Sequence, residues 1–442
     1  MITKGIFVHH FAPEILLITI LSLVVLSDAL AARLRIPSVF LLLLGSFAVY
    51  TWFRVAVPID LKEHFDTVIL FCIPLIFMGD ALHLHFADIR RHAWGIFYLA
   101  VVAVALSILA GASLEAFDLF PQITLGGYVA LFAINMATDA VSVQSVLSRF
   151  SGVDHDVKVL IEGESLGNDA TAVIAFFFIG LPWMMQGQID AGGAALDAVR
   201  VFAFSTAGGL GLGYGFYLLM KLYSEKRGEL FTFVVEAYAA YLLGEHFHLS
   251  GILTLIVAIV STKAWIDRDI EAEERQLERK KRSFLQRMRL SGILATTRER
   301  LEYIYEMASE FGYIAAVVIF FVLAEMVDPA KLWEYRHEIL IMFGVTTLIR
   351  ALSMAKFAWF GERLDAIRPV GFEGWFILTF SGMKGALSII LVHMIPTDYP
   401  YRELFETVTV GVVILSIFVY GTVLWAWFTF RPKEKVRLFE KS

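Results

Sequence analysis

Gly163-Glu164-Ser165-Leu166-Gly167-Asn168-Asp169 places two carboxylates and an asparagine inside an apolar segment running from about Val157 to Met185. A charge at the centre of a bilayer costs roughly 2.5–3.5 kcal/mol on insertion scales. A chain that keeps two of them at such depth uses them. The remaining sequence makes the bilayer setting plain. Its 442 residues are 58% hydrophobic and include 38 Phe, with a mean hydropathy of +0.69. That exceeds the apolar content of soluble domains, and many stretches reach the ~20 residues that cross hydrocarbon as a helix. The fold class is therefore an all-α polytopic membrane protein. The formal charge of −6 is divided among loops and argues for no acidic or basic partner, nucleic acid included. Cys72 is the single cysteine, so neither an internal disulfide nor a cysteine metal cluster can form.

Thirteen spans fit, at about 12–32, 37–54, 64–84, 93–115, 122–148, 157–185, 195–222, 229–245, 249–265, 302–326, 337–359, 372–395 and 404–430. Ala29-Leu30-Ala31 resembles a signal-peptide cleavage site, but Lys4 is the only basic residue before a long apolar run. The segment reads as an uncleaved first span. One set of loops carries Arg33, Arg35, Arg90, Arg91, Arg149, Lys158, Lys221, Lys226, Arg227, Arg363 and Arg368. The tail adds Arg431, Lys433, Lys435 and Arg437, whereas the opposite loops hold few cations, such as Lys62, Lys331, Arg336 and Arg402. By the positive-inside rule the first set and the C-terminus are cytoplasmic and the N-terminus is outside. The organisation is then spans 1–9 in residues 1–265, a charged cytoplasmic linker at 266–301, spans 10–13 in residues 302–430, and a short cytoplasmic tail at 431–442. The linker is acidic from Asp267 to Glu278 and basic at Arg279-Lys280-Lys281-Arg282, which suits an amphipathic helix near anionic lipid or a solvated connection.

At ~1.5 Å rise per residue, Asp169 lies about 18 Å into span 6 from the cytoplasm. Asp139 is as deep in span 5 from outside. Arg350 in span 11 and Lys384 in span 12 reach a similar level. Two charges of each sign thus converge on the midplane, where secondary transporters place their sites. Ser165 and Asp169 share one helix face, and Glu164 and Asn168 the adjacent one. Ser165, Asp169, Thr138, Asp139 and Ser142 offer hard oxygens, suited to a small hard cation or a proton and not to a transition metal. Carboxylates taken out of water hold their protons more tightly. If cation and proton compete for them, two fluxes are coupled with no cofactor. Glu164 and Arg350 read as a buried structural pair. Gly382-Met383-Lys384-Gly385 reads as an interruption of span 12, or as small-residue packing. Asp28, Asp80 and Glu325 lie near span ends; Glu236 is deeper and ambiguous. His9, His10, His83, His85, His246 and His248 cluster at span ends, which suits the interface better than metal binding, with pH sensing as a further role.

At these residues the chain resembles the NhaP-type sodium/proton antiporters of the monovalent cation:proton antiporter superfamily. The resemblance is carried by Ala137-Thr138-Asp139, by Gly163-Glu164-Ser165 with Asn168-Asp169, by Ile349-Arg350-Ala351, and by Gly382-Met383-Lys384-Gly385-Ala386-Leu387-Ser388. The stretch from Arg298 to Phe311 also looks like the family's lead-in to span 10. The resemblance implies thirteen helices in two inverted six-helix repeats, with discontinuous spans 5 and 12 crossing at the centre. It also implies a core moving against a dimerisation domain in a homodimer of the cytoplasmic membrane. Sodium and the proton would bind at Asp139 and Asp169, with Thr138 and Ser165 assisting and Asn168 stabilising the site. Glu164 and Arg350 would form the internal pair, with Lys384 compensating charge. Family members with Asn-Asp look electroneutral, so Asn168 implies one-for-one exchange. The sequence departs from the family at Ala140, where a proline is common; nothing from Asn135 to Ser142 is a strong helix breaker. On span 3, Met78-Gly79-Asp80 offers only a displaced acid. Alternatives are potassium or lithium in place of sodium, and a cation channel. An intramembrane enzyme finds no Ser/His pair, zinc motif or protease-like Asp pair.

Overall fold

The computed structural model describes residues 12–34, 36, 38–56, 65–84, 86–147, 153, 155–187, 190–222, 226–279, 284–326, 328–361 and 371–430. Lys4, His9, His10, Arg35, Lys62, His85, Arg149, Arg363, Arg368, Lys280, Lys281, Arg282 and the tail from Arg431 lie outside the described residues, as does the side chain of Glu325. Helix covers every apolar segment expected from the sequence. In a bilayer the backbone must satisfy its own hydrogen bonds, and long apolar runs have no other way to do so. In chain order the helices are α1 (Ala12–Leu34), α2 (Ser38–Ala56), α3 (Phe65–His83) and α4, a rod at 93–112 with a π turn at Tyr98–Val102. There follow α5 (Leu125–Ile134), α6 (Ala140–Leu147), α7 (His155–Ala175), α8 (Ala191–Met220), α9 (Lys226–His246) and α10 (Gly251–Arg279). The last are α11 (Phe284–Met326), α12 (Arg336–Gly361), α13 (Phe372–Phe380), α14 (Ala386–His393) and α15 (Arg402–Phe430).

Among the described residues, seven helices are long and apolar enough to cross a membrane on length and composition. Others fall short for identifiable reasons. The fifth and twelfth apolar segments are each split in two, at 135–139 and 381–385. Helix α9 carries Glu229, Glu236 and Glu245. Large apolar side chains face outward, among them Val25 at 66%, Val199 at 65% and Phe204 at 62% exposure, as expected when the solvent is hydrocarbon.

The chain divides into two compact units. The first comprises Met1–Leu70, His92–Ala195 and Ala316–Ser442. Its core joins Leu99 of α4, Val143 and Val146 of α6, Leu160 and Ile161 of α7, Met354 of α12, Leu378 of α13 and Tyr420 of α15. Small residues let backbones touch: a Cβ on Gly180, in the π turn after α7, would lie 2.8 Å from Ala130 Cα of α5. With lipid as solvent, such close packing replaces hydrophobic transfer as the cohesive force.

The second unit comprises Phe71–Arg91 and Leu196–Ala315. Here α8, α9 and α10 pack around glycines, and Arg300 and Tyr305 of α11 join them. The polar stretch expected as a linker at 266–301 extends helices from both sides: α10 runs on to Arg279 and α11 begins at Phe284. Several of its side chains are anchored. Asp269 accepts from Tyr217 at 2.7 Å and pairs with Lys221 at 2.9 Å, while Arg300 pairs with Glu229 at 3.1 Å. The sequence suits this stretch to an amphipathic helix near lipid or to a solvated linker; these contacts come from neighbours distant along the chain, which composition does not reveal.

Filling the Gly180 contact should cost about 1–3 kcal/mol by overpacking. Gly180→Val is therefore expected to lower the melting temperature of the purified protein. Gly211→Ala, where a Cβ meets nothing within 4 Å, should leave it unchanged; equal effects would contradict the packing assignment.

Candidate functional site

The two split segments meet in the first unit. Helix α5 stops at Ile134 and α6 begins at Ala140, leaving residues 135–139 between the two helices. Helix α13 stops at Phe380 and α14 begins at Ala386. The Asp139 N–H donates to the Met383 carbonyl at 2.8 Å, so one break closes on the other. Gly385 lies against Asp139, and any Cβ there would collide with the carboxyl carbon at 2.8 Å.

Helix α7 supplies most remaining partners. Asp169 Oδ1 accepts from the Thr138 N–H at 3.1 Å, and Ser165 Oγ donates to the Thr138 carbonyl at 2.8 Å. Asn168 Nδ2 donates to Thr138 Oγ1 at 2.8 Å. One helix face thus satisfies three polar groups of a single residue. The i, i+3 and i+4 spacing of Ser165, Asn168 and Asp169 makes this geometry available. Ser142 Oγ donates to Asp139 Oδ2 at 2.5 Å, and the Asp139 carbonyl accepts from the Val143 N–H at 3.3 Å, so Asp139 sits at the start of α6. A carboxylate there meets the positive end of the helix dipole.

Arg350 sits at the C-terminal, negative end of α13. Arg350 Nε donates to the carbonyls of Leu378 at 3.1 Å and Thr379 at 3.0 Å, and Nη2 to Leu378 at 2.7 Å. These are the last carbonyls of α13, which have no helical partner. The same guanidinium reaches Glu164 Oε1 through Nη1 at 2.6 Å. Lys384 is 3% exposed, and its backbone N–H donates to Ser416 Oγ at 2.8 Å. Its side chain lines a small cavity with Met136, Glu164, Asn168, Thr346 and Arg350.

All eight residues expected at the site from sequence — Thr138, Asp139, Glu164, Ser165, Asn168, Asp169, Arg350 and Lys384 — therefore lie in the first unit around the two breaks. Seven are shown in hydrogen bonds or ion pairs linking the breaks, α7 and α12; Lys384 joins through its backbone bond to Ser416 of α15 and through the cavity. Thr138, Glu164, Ser165, Asn168, Asp169 and Lys384 are buried, while Asp139 and Arg350 are partly buried. Asn168 Oδ1 is buried without a hydrogen-bond partner among the described residues, which leaves one acceptor spare beside the cavity. Ser388 stands in the sequence only as part of the span 12 motif, without a role; its hydroxyl donates to the Ile134 carbonyl at 2.9 Å. Sequence reading missed Ser416, a lone serine among apolar residues and a signal too weak to separate from ordinary helix packing. It also missed that Arg350 holds the end of α13. Asp80 and Glu236 belong to the second unit. Among the described residues no group of three metal-ligating side chains is present; His83 is engaged with Ser309 Oγ at 2.6 Å and His92 with Asp156 at 3.2 Å.

Removing one partner from a buried ion pair leaves an uncompensated charge and costs about 3–5 kcal/mol. Glu164→Ala and Arg350→Ala should each lower the melting temperature, Arg350→Ala more, since it also uncaps α13. Unchanged melting of both variants would contradict the pair.

The family described as sodium/hydrogen exchanger, transmembrane, matches residues 17–429. Over 431 residues the chain is 25% identical to the Na(+)/H(+) antiporter NhaH of Halobacillus aidingensis, covering 94% of this chain and 96% of that one. Over 363 residues it is 24% identical to the Na(+)/H(+) antiporter NhaP of Pseudomonas aeruginosa, covering 80% and 79%. Its fold is similar to that of the sodium proton antiporter MjNhaP1 from Methanocaldococcus jannaschii, with a TM-score of 0.72 at 15% identity over 95% of this chain and 98% of that one. The chain is a multi-pass helical membrane protein and belongs to the sodium/hydrogen exchanger family, among its NhaP-type members.

Proposed function

We propose that this protein exchanges sodium for protons across the cytoplasmic membrane of a prokaryote, with Asp139 and Asp169 as the carboxylates for which the two ions compete. The single observation carrying the reading is the meeting of two interrupted helices at a buried cluster of carboxylate, hydroxyl and amide oxygens. Ser165 Oγ donates one hydrogen bond and keeps its lone pairs, and Thr138 Oγ1, which accepts from Asn168, keeps a second lone pair, so both retain acceptor capacity toward a cation. A protonated carboxyl gives up part of that capacity. Binding of one ion therefore opposes binding of the other, and crossing in either loaded form carries one positive charge.

Asn168 occupies the position beside Asp169 where a second acid would add another proton to the cycle. It supports one-for-one, electroneutral exchange. Glu164, Arg350 and Lys384 balance charge around the site and keep α13 terminated. The finer architecture is part of the same proposal: thirteen spans, two inverted six-helix repeats, alternating access and a homodimer. So are an outside N-terminus, a cytoplasmic C-terminus and the division at 266–301. The orientation is supported by the Lys and Arg bias of the loops, and the helix crossing by the two breaks. Potassium or lithium would find the same donor atoms; sodium is favoured by the names of the similar antiporters. A channel reading is disfavoured by charges of both signs packed at one depth.

Asp169→Asn keeps an oxygen to accept the Thr138 N–H but cannot titrate. In vesicles this variant should fold and lose sodium-driven proton movement, whereas wild type should respond to sodium more than to potassium. Robust exchange by Asp169→Asn would overturn the assignment. For the stoichiometry, initial exchange rates in proteoliposomes should not change when a potassium diffusion potential is imposed. A rate that follows the imposed voltage would refute one-for-one exchange.

A further inference from the structure

A second carboxyl is buried in the other unit, and the exchange reading leaves it without a role. Glu236 of α9 is 0% exposed. It enters a seam where α8 and α10 touch almost backbone to backbone: a Cβ on Gly213 would lie 2.7 Å from the Ala258 carbonyl oxygen and 3.1 Å from Thr262 Oγ1. Glu236 Oε1 is 2.5 Å from Thr262 Oγ1. The same hydroxyl lies 3.0 Å from the Gly213 carbonyl oxygen. Glu236 Oε2 is buried with no hydrogen-bond partner, and no ion pair is formed by Glu236 among the described residues.

The charged groups on the neighbouring elements are engaged elsewhere. Lys263, next to Thr262 on α10, donates to the Leu82 carbonyl and lies 4.6 Å from the Tyr305 ring centroid of α11. Glu229, two turns before Glu236 on α9, pairs with Arg300 of α11. On α8, Tyr217 is bonded to Asp269. From α3, Phe71 presents its carbonyl to the Tyr238 hydroxyl of α9.

A threonine hydroxyl has one proton to give. Here it faces two acceptors, a carbonyl and a carboxyl oxygen. The Gly213 carbonyl lies inside α8 and has its helical hydrogen bond, so it does not depend on the Thr262 proton. An ionised Glu236 would be a buried anion with that one hydroxyl as donor, its second oxygen left without any, and no counter-ion among the described residues. A neutral Glu236 removes the buried charge: its O–H donates to Thr262 Oγ1, and the Thr262 O–H donates on to the Gly213 carbonyl. We infer that Glu236 is a second proton-binding site, a neutral carboxylic acid whose proton links α9 through Thr262 to α8 and α10. It is a lock on the helix seam of the second unit, separate from the exchange carboxylates.

The sign of its pH dependence follows from linkage. The folded protein holds a proton that the unfolded chain releases above the ordinary carboxylate range, so this contribution to stability falls as pH rises. Glu236→Gln keeps the size and a donor for Thr262 but cannot titrate. With both proteins in lipid nanodiscs, the infrared difference between wild type and Glu236→Gln at neutral pH should show one protonated-carboxyl C=O band belonging to wild type. Thr262→Val should shift that band by removing its acceptor. The melting temperature of wild type should fall relative to Glu236→Gln as pH is raised into the alkaline range. No protonated-carboxyl band lost in Glu236→Gln, or parallel melting curves across pH, would overturn the assignment. The wild-type and Thr262→Val spectra decide the matter alone if Glu236→Gln does not fold.

Discussion

Two helices stop inside a membrane, and the backbone groups they free must find partners within the protein. In hydrocarbon each unsatisfied N–H or C=O costs several kcal/mol. That requirement organises the first unit. Met383 and Asp169 take the N–H groups of Asp139 and Thr138. Ser165 and Ser388 donate to the carbonyls of Thr138 and Ile134. Arg350 takes the last carbonyls of α13 and needs Glu164 to balance its charge.

The same arrangement brings titratable groups to one place. Asp169 is both a backbone partner and the deepest acid of α7; Asp139 starts α6 and leans on Gly385. In the exchange we propose, a site whose oxygens also hold the fold cannot change ions without a small rearrangement of the breaks. This coupling is what an alternating-access exchanger needs. It also explains why Ser165, Asn168 and Asp169 occur in one short run on α7, since all three serve Thr138 and neighbouring turns of one helix reach the same residue.

Much of this was legible in the chain. The apolar runs set the helices, and depth counting brought Asp139, Asp169, Arg350 and Lys384 to one level, with Ser165, Asn168 and Glu164 following from their spacing on one helix. Gly382 and Gly385 around Lys384 marked the second break, because small residues flanking a charge make poor mid-membrane helix. The first break was not legible from residues alone. Ala140 is a good helix former and no proline interrupts 135–139; the gap is held open by Met383, Asp169 and Ser165, which are remote in sequence. The charged stretch past residue 265 was legible as an amphipathic helix or a solvated linker; that Tyr217, Lys221 and Glu229 hold it was not, because those partners are remote in sequence. Glu236 was visible as a deep acid, but its meaning depends on a single hydroxyl of another helix.

The central claim is that sodium and the proton compete for the carboxylates at the meeting of the two breaks. Proton release on sodium binding to the purified protein tests it most directly, read by calorimetry in buffers of differing ionisation enthalpy. The account predicts close to one proton released per sodium bound near neutral pH, lost in Asp169→Asn. Sodium binding that releases no proton, or release that persists in Asp169→Asn, would contradict it.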